Sequence, residues 1–217
     1  MTHKFGGHQG GAEDLTAGRD RDYAGDGLEF FSTNEVTYGA IGTGGILLKL
    51  VSKRLELRPL TLAELSLAGV NFAGLEQRLG LKPSGTVLDD EMQYAMQVRH
   101  SKVLQDPLNY PWLTNWAIIQ QEEQRLIGFI ILKGRPNAQG EVILGYVIDE
   151  SHRKRGYATE AVRRISEWIF SDPQALWTIA DTEKDNTASH KVLEHLGAQK
   201  YRETEDLIWW RIARPKL

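Results

Sequence analysis

The residues with the clearest chemical potential form one run, Gly145-Tyr146-Val147-Ile148-Asp149-Glu150-Ser151-His152-Arg153-Lys154-Arg155-Gly156-Tyr157-Ala158-Thr159-Glu160-Ala161. An apolar stretch leads into a basic loop and then directly into an amphipathic segment. A helix start leaves about four amides without intrahelical partners. The aligned peptide dipoles add roughly half a positive charge at that end. Gly156 has no Cβ, so an incoming group can approach the main chain closely, and Ala158 keeps the next amide accessible. Arg153, Lys154 and Arg155 add cationic charge. Arg153 through Thr159, with Tyr157 inside the run, are therefore a candidate site for a phosphate or pyrophosphate. A basic triplet alone reads as a solvated turn; strand, triplet, glycine and helix start in one frame read as an anion site. The Gly-x-x-x-x-Gly-Lys-Ser/Thr loop of nucleoside triphosphatases is absent, and no carboxylate cluster suggests magnesium, which argues against nucleoside-triphosphate chemistry.

The elements that must hold this run follow from periodicity. Residues 157–170 carry apolar side chains at 3–4 spacing, which predicts a long helix. Glu160–Arg164 and Arg163–Glu167 are spaced as i,i+4 pairs on its solvent side. Apolar runs at 116–119, 126–132 and 142–148, separated by turn-like residues, predict an antiparallel meander. Residues 175–180 read as a strand, 186–196 as a helix closed by Gly197, and 198–213 as a final strand pair. Upstream, Leu55 and Leu57 alternate with polar residues in a strand ending at Pro59, and Thr61 with Glu64 spells a capping box. Helical segments follow near 72–79 and 88–105. The strands flanking the long helix should be parallel neighbours joined by a right-handed crossover. The expected fold class is α/β in the mixed, α+β sense: a mostly antiparallel central sheet with one parallel pair and helices on both faces.

Composition divides the chain. Residues 1–52 hold 11 of the 21 glycines, and 7 acidic against 4 basic residues, so we expect an acidic, glycine-rich extension before a domain at 53–217. Residues 36–50 read as a strand or hairpin. Gly42-Thr43-Gly44-Gly45 lacks the sixth-position glycine of a dinucleotide fingerprint and reads as a turn. The chain has no cysteine, which removes disulfides, thiolate metal sites and a cysteine nucleophile, and fits a reducing cytoplasm. A net charge of −3 gives no global attraction for nucleic acid. No run reaches the roughly 18 apolar residues of a membrane span, and the N-terminus has no apolar core like that of a signal peptide, so no membrane partner and a cytoplasmic location are expected.

Two motifs give these elements a relative. Arg153-x-x-Gly156-x-Ala158 resembles the Arg/Gln-x-x-Gly-x-Gly/Ala motif of the GNAT superfamily of N-acyltransferases. Asn186-x-x-Ser189-x-x-Val192-Leu193-x-x-Leu196-Gly197 follows at matching distance, and the wider run is similar to the branch of ribosomal-protein N-terminal acetyltransferases. The resemblance covers about 53–213. It implies acetyl-CoA as co-substrate and no metal. The pyrophosphate would sit on the amides of Arg155 through Thr159. The pantetheine arm would lie along the strand ending at Val147 and Ile148, which in this family carries a bulge and splays from its parallel neighbour. A main-chain N–H near Val147 or Ile148 would polarise the thioester carbonyl. Asn186 reads both as a helix N-cap and, by the resemblance, as a pantetheine contact. Ser189 reads either as bonding back to its helix or as proton donor to the departing thiolate.

The base is less defined. The branch commonly carries a Glu where this chain has Ile143; Glu141 shares that strand face and is the candidate catalytic carboxylate, with Tyr146, His152 and an ordered water relay as alternatives. The resemblance implies a primary amine as acceptor, either a protein N-terminus or a small molecule such as a polyamine, amino sugar or aminoglycoside. A CoA-binding sensor without catalysis is the alternative of another class. Tyr110, Trp112 and Trp116 either line an acceptor pocket or fill core. A monomer or homodimer is expected.

Overall fold

The computed structural model describes residues 36–40 and 46–216. The first 35 residues of the expected extension, and the turn at 41–45, lie outside the described residues. Among the described residues nine strands form one sheet in the order β1-β2-β3-β4-β5-β6-β7-β9-β8. β1 (Val36–Ala40) and β2 (Ile46–Val51) form the hairpin read at 36–50, and β2 pairs antiparallel with β3 (Leu55–Pro59). Composition sets residues 1–52 apart, yet Leu50 is fully buried in the core, because strand pairing reads alternation and not glycine content.

β3 is followed by α1 (Leu62–Val70), which opens on the complete Thr61–Glu64 capping box. α2 (Phe72–Arg78), α3 (Asp90–Gln105) and the short α4 (Tyr110–Leu113) follow. β4 (Asn115–Gln120), β5 (Arg125–Leu132) and β6 (Glu141–Ile148) form the antiparallel meander. α5 (Tyr157–Ile169) crosses to β7 (Trp177–Glu183), which runs parallel to β6, and α6 (Thr187–His195), β8 (Gln199–Glu203) and β9 (Leu207–Ala213) complete the chain. β7 begins later than the apolar run suggests, because the amides of Leu176 and Trp177 both turn to the Gly140 carbonyl.

Two cores result. On one sheet face α5 and α6 pack over Trp116, Ile130, Leu144 and Trp210; on the other, α1, α2 and α3 pack over Ala117, Ile119, Leu126 and Phe129. Trp112 and Trp116 stack on Trp168 of α5 with ring centroids 4.4 and 4.9 Å away. Trp116 is 0% exposed, so this aromatic group fills core.

The i,i+4 pairing expected along α5 is replaced. Arg164 is buried, donates Nε to the Val51 carbonyl and pairs with Glu167 at 3.3 Å. Glu160 turns to Arg54, 2.7 Å away. An i,i+4 surface pair contributes only a few tenths of a kcal/mol, whereas the partly buried Glu160 has its partner across the fold and Glu167 has its own three residues back in the helix.

The decisive feature is the β6–β7 ladder. It runs only through Glu141↔Trp177, Val142↔Thr178 and Ile143↔Ile179. Beyond Ile143, β6 pairs only with β5, and β7 continues along β9 to Glu183. The two parallel strands therefore part, as the family resemblance implies. The bulge expected in β6 is absent: its ladder with β5 is regular from Gly128↔Ile148 to Leu132↔Leu144. The register shift lies in β5, where Ile127 is the extra residue between Ile118↔Gly128 and Ile119↔Leu126. Beside it, Gly128 allows a close approach: a Cβ there would lie 2.1 Å from the Val147 carbonyl oxygen. Since the obstacle is main chain, Gly128→Ala is expected to lower stability by about 2 kcal/mol or more, read as a lower urea midpoint with an unchanged slope.

Candidate active site

The loop between β6 and α5 has an irregular backbone fixed by side-chain ties. Asp149 accepts the Ser151 amide at 2.9 Å and starts one short 3₁₀ turn, Glu150–His152. Lys154 has φ 61° and Gly156 φ 80°, both left-handed. Gly156 is the residue before α5 and offers no capping side chain. The first bond of α5 runs from Glu160 N to the Gly156 carbonyl at 3.1 Å. Among the described residues, the amides of Tyr157, Ala158 and Thr159 thus have no acceptor within the chain. Only Arg54 Nη2, 3.5 Å away, stands before the place a Gly156 Cβ would occupy.

Arg54 and Glu160 hold this arrangement, and sequence reasoning missed their pairing. Glu160 accepts from Arg54 N at 2.8 Å, Arg54 Nε at 2.7 Å and Ser52 Oγ at 2.9 Å. Arg54 Nη1 donates to the Arg155 carbonyl at 2.9 Å, and its guanidinium lies 4.4 Å over the Tyr157 ring. One arginine in the β2–β3 turn therefore fixes both the loop and the first turn of α5 from 100 residues away in sequence, which local spacing does not signal. On the other flank, His152 contacts Glu123 of the β4–β5 turn at 3.2 Å, and the His152 hydrogen bond holds the Glu123 carboxyl below its ordinary range.

The expected site residues divide by role. Lys154 and Arg155 are exposed, Arg155 with one long contact of 3.9 Å to Glu123. Arg153 donates Nε to the Ile148 carbonyl at 2.9 Å and ties the loop to the strand end. The Tyr157 side chain is buried in the core, and Ala158 packs against it, so both contribute amides and not side chains.

Strand parity corrects one expectation. Lys133 N bonds the Ile143 carbonyl at 2.9 Å, and Asp149 N bonds the Ile127 carbonyl at 2.8 Å. Antiparallel bonding alternates along a strand. Ile143, Gly145 and Val147 therefore turn their main-chain groups to β5, and the Val147 amide is not available in the gap. Tyr146 and Ile148 turn theirs the other way, into the space β7 has left.

α6 closes one side of this gap. Asn186 caps it by accepting the Ser189 amide at 3.1 Å, which leaves Nδ2 uncommitted among the described residues. Ser189 is half-buried and shows no bond back to its helix. The Tyr146 hydroxyl reaches across from β6 to the Ser189 carbonyl, 3.4 Å away. Burial pushes the Tyr146 phenol up to about 12, offset in part by the Ser189 side chain. Tyr146 thus holds its proton at neutral pH. Glu141 sits at the opposite end of β6, below the parting point, where it accepts from Asn137 Nδ2 at 3.0 Å. It belongs to the β5–β6 hairpin and not to the gap. Among the described residues no group of three His, Asp or Glu could hold a metal ion, and no helix is long and apolar enough to cross a membrane.

These features meet in a family. The acetyltransferase (GNAT) domain model matches residues 54–199, well over half of the chain. The chain belongs to the GNAT acetyltransferase family. It is 31% identical over 83 residues to the uncharacterized N-acetyltransferase YjdG of Bacillus subtilis (strain 168), a match covering 38% of this chain and 49% of that protein. It thus spans about half the length of the curated relatives it matches. Among solved structures it is similar in fold to RimL, a ribosomal L7/L12 alpha-N-protein acetyltransferase, with TM-score 0.58 at 16% identity over 82% of this chain and 100% of that one. RimL in complex with coenzyme A gives TM-score 0.54 at 14% identity, over 75% of this chain and 96% of that one. In this GNAT chain the parallel strands part beyond Ile143 and Ile179, and the loop to α5 follows β6 on the parted side.

The Tyr146 environment has a pH consequence. The folded chain holds this proton above the ordinary value of 10.0, so the folded state binds more proton than the unfolded one between about pH 10 and 12. Stability then falls as pH rises through that window, by at most about 1.4 kcal/mol per pH unit from this group. Tyr146→Phe should reduce the loss, measured by chemical denaturation at pH 9 and 11; an identical decrement in both proteins would contradict the assigned burial.

Proposed function

We propose that this chain transfers the acetyl group of acetyl-CoA to a primary amine, and that the amine is a protein N-terminus. The observation that carries the reading is the alignment of free main-chain donors. The amides of Tyr157, Ala158 and Thr159 open at the mouth of the gap, and those of Tyr146 and Ile148 line it. A pyrophosphate suits the first set, through helix-terminal amides, dipole and the nearby Lys154 and Arg155 cations. An extended amide-bearing arm suits the second, as an added strand would. Asn186 Nδ2 is placed to donate to the same arm. Acetyl-CoA bound there supplies an acetyl group activated as a thioester.

The chain's own groups then do three things. The Ile148 or Tyr146 amide is the donor for the carbonyl oxygen as it gains charge. Ser189 holds a proton at Oγ for the departing sulfur. Water, and not Glu141, takes the proton of the amine, since the Glu141 carboxylate is bound to Asn137. Holding amine and thioester together supplies much of the acceleration. The protein acceptor rests on the likeness to an enzyme named for acetylating a ribosomal-protein α-amine, an argument by analogy. Such an acceptor places the reaction in the cytoplasm.

Calorimetric titration with acetyl-CoA, followed by thiol release over a panel of peptides and small amines, tests the reading. Gly156→Asp adds a side chain at φ 80° and a charge facing the pyrophosphate. Acetyl-CoA affinity should fall at least a hundredfold while the fold is kept. Ser189→Ala should keep that affinity and lower kcat by tenfold or more. Unchanged affinity in folded Gly156→Asp contradicts the site; tight binding with no amine-dependent thiol release across the panel leaves a CoA sensor instead.

A further inference from the structure

The helices cover the sheet unevenly. α1, α2 and α3 cover one face over β3, β4 and β5. On the same face of the sheet Val147 of β6 still packs against that core, whereas Ile143 of β6 and the residues of β7 and β9 that share its face belong to neither core cluster. Its residues are fixed by register. Ile143 of β6 is opposite Ile179 of β7, Ile179 is opposite Arg211 of β9, and Asp181 is opposite Trp209. This face borders the point where β6 and β7 part, on the side away from α6 and Ser189.

Aromatic rings and arginines fill it. The Arg211 guanidinium lies 4.5 Å over the Trp177 ring and 5.7 Å from the Tyr201 ring, and Arg202 lies 5.6 Å over Trp209. A guanidinium laid flat on rings presents its N–H edge outward as a planar fork, suited to bidentate carboxylate binding. The carboxylates of this face are already committed. Asp181 pairs with Lys133 at 3.3 Å, and Glu141 accepts from Asn137 at 3.0 Å. Among the described residues, neither Arg202 nor Arg211 forms an ion pair. Arg211 Nε and Trp209 Nε1 are buried and have no hydrogen-bond partner. Such donors inside a fold cost about 1–3 kcal/mol each when unmet; both are already covered by the chain, so an incoming carboxylate meets the outer N–H groups of Arg202 and Arg211 and not these two atoms. The acidic residues of the neighbourhood, Glu183, Asp185, Glu205 and Asp206, line a separate hollow at the far tips of β7 and the β8–β9 loop.

We propose that Arg202, Arg211 and Trp209 form the docking site for the carboxylates of an acidic peptide N-terminus, whose amine reaches the parting point beside Ile143 and Ile179. This rests on the acetyl-transfer reading and names the acceptor class for it. Strands lie about 4.8 Å apart, so β9 stands roughly 10 Å from β6. The second to fourth residues of an extended peptide span that distance from a reacting first residue at about 3.3 Å each.

The test uses the full chain, acetyl-CoA and three peptides that begin with alanine and carry three Asp, three Asn or three Lys at positions two to four. Thiol release should give kcat/KM at least tenfold higher for the Asp peptide than for the Asn peptide, and lowest for the Lys peptide, with the Asp advantage shrinking as salt rises. Arg202→Gln and Arg211→Gln should each raise KM for the Asp peptide at least fivefold. Acetyl-CoA affinity and the rate with the Asn peptide should stay unchanged. Arg211→Lys, which keeps charge without the planar fork, should behave as Arg211→Gln. Arg202 is exposed, so its variant keeps the test alive if Arg211→Gln does not fold. Equal rates with all three peptides, or preference for Lys, overturns this inference and leaves the transferase reading standing. Acetyl-CoA binding with no thiol release on any peptide or other amine overturns both. A dimer in light scattering that dissociates in Arg202→Glu, with acceptor kinetics untouched, assigns the face to a second copy and also overturns the inference.

Discussion

Two parallel strands that share only three ladder positions create the gap on which everything else depends. Were β6 and β7 zipped to their ends, the main-chain groups of Tyr146 and Ile148 would be spent on β7, and no arm could lie between them. The separation is sustained from both sides. β5 holds β6 through a regular ladder, and β9 holds β7 through seven paired positions. The freed edge of β6 is also shielded: Arg153 takes the Ile148 carbonyl, and α6 with Tyr146 closes the face over the core. An unpaired internal strand edge is costly unless something satisfies it, which is the physical reason to expect a ligand that pairs like a strand.

The helix start beside the gap is held by the same economy of long-range ties. A terminus with open amides and a left-handed glycine has little local reason to stay put. Here Glu160 anchors the first turn of α5 to Ser52 and Arg54, and Arg54 returns a bond to the Arg155 carbonyl. The partner charges satisfy each other and leave the amides of 157–159 outward. Three cations precede these amides, but they differ in duty: Arg153 is structural at Nε, and Lys154 and Arg155 remain exposed to an anion. The sheet face outside both helix-packed cores extends the same logic to the acceptor in the proposed docking site, with the Arg202 and Arg211 guanidiniums set over aromatic rings.

Features that are local in sequence were legible before the structure. Arg153, Gly156 and Ala158 lie in one turn, Thr61 caps with Glu64 three residues on, and Asn186 caps with Ser189 three residues on. Features that need a second segment were not. The direction of the Val147 amide depends on the register of β5, so of the expected Val147 and Ile148 only Ile148, with Tyr146, turns its amide into the gap. The partner of Glu160 lies 106 residues away. Glycine content drew a boundary at 52, though β2 belongs to the sheet through β3. Glu141 shares a strand face with Ile143, but only the β6–β7 ladder reveals that it sits on the zipped side of the parting point.

The central claim concerns which amides hold the diphosphate. An amide-resolved NMR titration of the full chain with coenzyme A, compared with pantetheine lacking the diphosphate, reads it directly. The account predicts that coenzyme A moves the Gly156, Tyr157, Ala158 and Thr159 resonances most, that pantetheine leaves these four in place, and that both ligands move Tyr146 and Ile148. Coenzyme A binding that leaves the four helix-start amides unmoved, with its largest shifts elsewhere, would contradict it.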